Sequence, residues 1–138
     1  MIYIKQLMIA SCILLISFTS MAEVSVIVNT ANSNNIDKSL IKKIFLGKSK
    51  TFPDGNKIII YTLKDANADA VDFRQKALKK SNSQYKSYWA KLAFTGKGTP
   101  PKEASDSEMI NAIKNNPNAI GFINSGKVTA DVKVIATF

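Results

Sequence analysis

Few groups in this chain can do covalent chemistry. It has no histidine, and its single cysteine, Cys12, lies inside an apolar run near the N-terminus. With no imidazole base and no thiolate elsewhere, the usual nucleophile–base pairs and N/S metal sites are excluded. The chain is therefore read as non-enzymatic, with no catalytic residue, no metal site and no cofactor. What remains is chemistry for holding an anion. Lys64 and Asn67 stand at the expected start of a helix, where backbone N–H groups and the macrodipole favour negative charge. The plainer reading of this pair is a helix cap beside a solvated lysine. Gly96, Lys97, Gly98 and Thr99 form a Gly-x-Gly turn in which backbone donors and one ammonium can converge on an anion; a helix stop followed by a turn fits them as well.

Other polar and aromatic clusters read as structural. Asp65, Asp69 and Asp72 gather at one helix start, where acids stabilise the macrodipole. Tyr85, Tyr88 and Trp89 recur at the spacing of a helix's inner side, which makes them core rather than a stacking platform. Arg74 is most simply a solvated helix residue.

The charge balance fits an anionic ligand or plain solubility equally well. Nineteen basic residues face ten acidic ones, a net charge of +9, which draws phosphate groups, acidic polymers or lipid headgroups without selecting among them. Nucleic acid is excluded as a partner because Arg74 is the lone arginine and no dense basic block exists. Lys5, the apolar run 7–18 and the small residues Ser20 and Ala22 have the three-part layout of an export signal. Cleavage after Ala22 would leave residues 23–138 in the periplasm, not spanning the membrane and cysteine-free. The run is too short for a membrane-crossing helix. The box Ile9-Ala10-Ser11-Cys12 resembles one that precedes a lipid-modified cysteine, but apolar residues continue past it.

The elements that must position the candidates follow from periodicity. Residues 23–29 (EVSVIVN) are β-branched and almost continuously apolar, as in a strand covered on both faces. Leu40, Ile41, Ile44 and Phe45 mark a short amphipathic helix between Asp37 and Gly47. Pro53, Asp54 and Gly55 form a turn, and residues 57–62 a second buried strand. Helices are expected at 67–79, at 83–94 with Ser83 as cap, and after Ser105, which is three residues before Glu108 in a capping-box pattern. Strands at 119–124 and 132–137 close the chain. Alternating strands and helices in one short domain predict a layered α/β fold.

Three ordered stretches are similar to signature segments of a known family. They are Ile44-Phe45-Leu46-Gly47-Lys48, the run from Tyr88-Trp89-Ala90-Lys91 through Gly96-Lys97-Gly98-Thr99-Pro100-Pro101, and Asn116-Pro117-Asn118-Ala119-Ile120-Gly121-Phe122-Ile123. Together they resemble the phosphate-binding proteins that feed ABC transporters, in particular their short single-lobe relatives. The resemblance implies one lobe of a type 2 periplasmic-binding-protein fold, a mixed sheet of four to five strands flanked by about four helices. Full-length relatives have two lobes that close on phosphate; here 24–29 and 132–137 take the place of the strands that would cross to the other lobe. In such relatives a Ser-Gly-Thr triplet opens the helix after the second strand, and the matching positions here are Asn67, Ala68 and Asp69. Two hydroxyls are lost and a carboxylate gained. The implied function is that of an exported solute-binding-like protein with weak affinity for phosphate or another small anion, docking to a membrane transporter or sensor. The rival reading is a ligand-free accessory that kept only the fold.

Overall fold

The computed structural model describes residues 23–138; the expected export signal, 1–22, lies outside the described residues. The chain runs through strand β1 (Val24–Asn29), helix α1 (Lys38–Phe45), β2 (Ile59–Thr62), α2 (Ala68–Ala77), α3 (Asn82–Phe94), the two-residue β3 (Lys102–Glu103), α4 (Asp106–Asn115), β4 (Ala119–Asn124) and β5 (Val132–Thr137), with one 3-10 turn, Ser125–Lys127, between the last two strands. The five strands form a single mixed sheet in the order β3-β2-β4-β1-β5. β2 runs parallel to both β3 and β4, while β1 is antiparallel to β4 and β5.

Every residue of β1 is buried: Val24, Val26 and Val28 fill one face, and on the other Ser25 and Asn29 are buried polar groups that find hydrogen bonds, because the strand lies between two others and beneath helices on both sides. Side-chain alternation along β4 shows how those helices are divided. Phe122 stacks on Phe73 of α2 at 4.0 Å and meets Phe45 of α1 edge-on at 5.9 Å. Its neighbour Gly121 faces the other way, towards Met109 and Ile113 of α4, so tightly that a Cβ there would sit 2.3 Å from Met109 Sδ. Thus α1 and α2 cover one face and α4 the other. Burying a ring such as Phe73 stabilises the fold by roughly 1.5–3 kcal/mol, and the contiguous core spans both faces. Asn29, also buried, donates to the carbonyls of Ile113 and Lys114, both at 2.9 Å, and so ties the end of α4 to β1.

Several boundaries depart from the pattern reading. The second strand begins at Ile59, not Lys57, because Lys57 pairs with Thr51 in an isolated bridge and the Ile58 N–H donates to Lys50 O at 3.0 Å. Helix α3 is capped by Ser81, not Ser83: Ser81 Oγ accepts from the Gln84 N–H at 3.2 Å, and Gln84 Oε1 returns the bond to the Ser81 N–H at 2.9 Å. Strand β3 was not expected. Its two charged, exposed residues after Pro100-Pro101 make a short edge that resists further pairing. Among the described residues no helix is long and apolar enough to cross a membrane.

Candidate functional site

β2 ends at Thr62, and the loop beyond it leads to α2. Asn67 caps that helix with its own side chain, whose Oδ1 accepts the Asp69 N–H at 2.8 Å. Asp69 in the first turn accepts from Asn124 Nδ2 at 3.1 Å, so a carboxylate stands where the helix start would otherwise favour an anion. Lys127 points to Asp106 at 2.6 Å. That hydrogen bond, with the charges of Asp106 and then Asp69, raises the Lys127 pKa. Lys64 is exposed on the same loop and its carbonyl accepts the Asn67 N–H at 2.9 Å. The donors at this helix start are thus partly used by the chain's own oxygens.

Arg74 overturns its reading as a solvated residue: it is 1 % exposed. It falls on the inner stripe of α2 with Ala70, Phe73 and Ala77, and its guanidinium is held through both terminal nitrogens while Nε is buried without a hydrogen-bond partner. Nη1 donates to Asp65 Oδ1 at 2.6 Å and to Asn82 Oδ1 at 2.9 Å, and Nη2 to Thr62 Oγ1 at 3.3 Å. The group lies over the Tyr85 ring, 3.9 Å from its centroid. Lys86 reaches the other Asp65 oxygen at 3.3 Å. Burial pushes the Asp65 pKa up, but the bonds and charges of Arg74 and Lys86 outweigh it and hold the carboxyl below its ordinary range. Asp65 therefore serves a structural ion pair that fixes the β2–α2 loop to α3. The clue in the sequence was a basic residue four positions after Ala70 on an otherwise apolar stripe.

The glycine turn forms the third cluster. Gly96 (φ 69°) ends α3 in the left-handed region, its N–H bonded to Ala93 O at 3.1 Å and that of Lys97 to Leu92 O at 2.9 Å. Glycine is favoured here because an L side chain strains this geometry. Lys50 Nζ then clamps the turn through Lys97 O at 3.1 Å. Beside it opens a cavity of about 370 Å³ between the turn, Trp89 and the start of β2, whose lining includes Lys50, Lys57, Lys97, Gly98 and Thr99 and no carboxylate. Trp89, 5 % exposed, forms one wall. Glycine is again required at position 47, where a Cβ would sit 2.7 Å from Trp89 Cη2. The structure thus brings Gly96, Lys97, Gly98 and Thr99 together with Lys50 and Lys57, which the sequence did not single out. Lys64 and Asn67 lie past the opposite end of β2 and do not line this cavity. Tyr85 and Trp89 are core, as their spacing implied. Among the described residues no cluster of acidic, histidine or cysteine side chains has the make-up to hold a metal.

No family model matches the sequence, and no curated protein matches it. Solved structures do. An ABC-type phosphate transport receptor from Vibrio cholerae superimposes with a TM-score of 0.54 at 21% identity, covering 83% of this chain and 46% of the receptor. A substrate-binding protein from Clostridium perfringens assigned to phosphate ABC transporters, solved with bound phosphate, gives 0.64 at 17% identity over 83% and 45% of the two chains. PstS from Borrelia burgdorferi gives 0.62 at 15% identity over 83% and 47%. The chain thus spans less than half the length of these structures, and at such identities the likeness is one of fold. The mixed five-stranded sheet with four helices thus shares the fold of about half of each of these substrate-binding structures, one lobe's worth.

Proposed function

We propose that this protein is an exported, non-enzymatic, solute-binding-like domain that takes a small oxyanion, phosphate among them, in the cavity beside Lys97. The observation that carries the proposal is the lining itself: Lys50, Lys57 and Lys97 and no carboxylate, with the Lys50 ammonium donating to the Lys97 carbonyl at 3.1 Å. Such a wall attracts an anion, and the Gly98 and Thr99 backbone beside it offers close approach. Lys64 with Asn67 is the weaker arm, because Asp69 in the same helical turn repels a phosphate dianion at short range. One lobe offers an open half-site, so affinity is modest, on the order of 1 mM. Export to the periplasm and docking to a membrane transporter or sensor belong to the same reading, supported by the leader-like start of the sequence.

A second reading, a ligand-free accessory of a membrane protein, is favoured by Asp69 at the α2 start and by the match to a single lobe. Isothermal titration of residues 23–138 with phosphate, at low salt and at about 0.15 M, separates the two. The first reading expects saturable heat that survives salt and weakens about a hundredfold or more, beyond detection, in Lys50→Gln with Lys57→Gln, since each charge-assisted hydrogen bond contributes about 1.5–3 kcal/mol. Heat that vanishes with salt would sink it in favour of the accessory. Loss on Lys64→Gln instead would move the site to the start of α2.

A further inference from the structure

The outer side of α3 has no role in the core or in the Lys97 cavity, yet three independent features set it apart. First, Phe94 is 93 % exposed at the end of the helix, while the only other large hydrophobic residue standing out among the described residues is Val134, at 42 %. A phenyl ring left in water forgoes the stabilisation that burial would give it. Second, from Phe73 to Lys102 the sequence holds Arg74 and seven lysines and not one aspartate or glutamate. Arg74 is buried and Lys86 pairs with Asp65 at 3.3 Å; Lys79 and Lys91 are exposed, and Lys80 lies 5.0 Å over the Tyr88 ring. Third, Lys79 has φ 56°, the only non-glycine residue with positive φ among those described. Glycine is the usual residue where a helix ends in this conformation, and a lysine there is strained by its Cβ.

These features share one surface. Tyr85 and Trp89 turn α3 towards the core, which at 3.6 residues per turn leaves Ser83, Ser87, Ala90, Lys91 and Phe94 outward. All five are exposed. Lys79, Lys80, Ser83, Gln84, Ser87 and Lys91 line a shallow trough along the first turns, with no acid in it. Small residues between the lysines let the helix axis come close to whatever lies on it. Phe94 stands clear of the trough, 93 % exposed and not among the residues that line it. A partner that meets it must be negative over a broad area and must accept a single ring without a matching shape.

We propose that this side of α3 docks to an anionic lipid bilayer, with Phe94 entering the headgroup–acyl boundary and Lys79, Lys80 and Lys91 contacting lipid phosphates. A fluid surface moulds itself around a protruding ring, whereas an acidic protein would need a preformed cavity for Phe94. The proposal stands independently of the Lys97 cavity.

The test is cosedimentation of residues 23–138, which enclose their own core, with vesicles of phosphatidylcholine or of phosphatidylcholine containing one phosphatidylglycerol in three. The expected result is binding to the anionic vesicles alone, retained at about 0.15 M salt. Phe94→Ala, at a position too exposed to unsettle the fold, lowers the partition coefficient about tenfold or more. Lys80→Gln and Lys91→Gln lower it about fivefold each, while Lys114→Gln on α4 leaves it unchanged. Absence of binding at that salt, or equal binding by Phe94→Ala, would overturn the proposal. So would Phe94-dependent capture by soluble polyglutamate matching that by vesicles, which would point to an acidic protein partner.

Discussion

Removing Asp65 should harm this fold more than removing Arg74, although the two form one ion pair. Arg74 is 1 % exposed and Asp65 32 %. Asp65→Ala leaves a guanidinium buried with only the neutral acceptors Asn82 Oδ1 and Thr62 Oγ1 and the Tyr85 ring. Stranding a buried charge costs roughly 3–5 kcal/mol, and the third of Asp65 still in water places this pair near 3. Arg74→Met keeps most of the buried volume and removes the charge that needed a partner. Asp65 then retains Lys86 at 3.3 Å and its share of solvent, so the cost is about 1–2 kcal/mol. The double variant should be more stable than Asp65→Ala alone, because the stranded charge is gone. Urea unfolding of residues 23–138 measures this directly, since the lone tryptophan, Trp89, is buried and reports unfolding by fluorescence. A domain of this size has about 5–15 kcal/mol to lose, so all three variants remain measurable. If Asp65→Ala costs less than Arg74→Met, or the double variant is the least stable, the assignment of Arg74 as a buried, partner-dependent cation is wrong. The pH dependence has a definite sign. The folded-state pKa of Asp65 lies below its unfolded value, so the pair's contribution is complete above the unfolded pKa, about 3.9. It is lost as pH falls through the folded pKa, and Asp65→Asn should flatten that acid limb of the stability curve.

Two packing predictions use the same unfolding assay. Gly121→Ala places a Cβ 2.3 Å from Met109 Sδ and 3.0 Å from Ile113 Cδ1, both fully buried residues, and should cost about 1–3 kcal/mol by overpacking; a neutral result would mean α4 sits farther from β4. Ser81→Ala removes the reciprocal cap of α3 and should cost about 1 kcal/mol, whereas Ser83→Ala should cost almost nothing; the reverse order would return the helix start to Ser83.

Much of the α/β order was legible because burial on both faces leaves an unmistakable pattern. A strand between two others under helices on both sides is mostly apolar, and VSVIVN carries only Ser25 and Asn29 as polar residues, both buried. Phe45 lay on the periodic apolar stripe of its helix, so its membership of the core followed before its contacts with Phe73 and Phe122 were known. Short elements were not legible. β3 consists of two exposed charged residues, and nothing local marks such a segment as a strand until β2 offers it an edge. The cap at Ser81 was missed because Ser81 and Ser83 are chemically alike, and only the return bond from Gln84 distinguishes them.

By itself the sequence determined which groups are missing: with no histidine and no cysteine beyond Cys12, residues 23–138 have no imidazole and no thiolate to offer, whatever their fold. It also carried the glycine turn at 96–98, because the conformational demand there is met within the local backbone. Tertiary structure alone decided which charges face one another. Lys50 and Lys57 join Lys97 only because β2 folds back beside the end of α3, and Asp65 meets Arg74 only because a turn brings the loop over the helix it precedes. Charges act through space over several ångströms, and their separation in space cannot be read from their spacing along the chain.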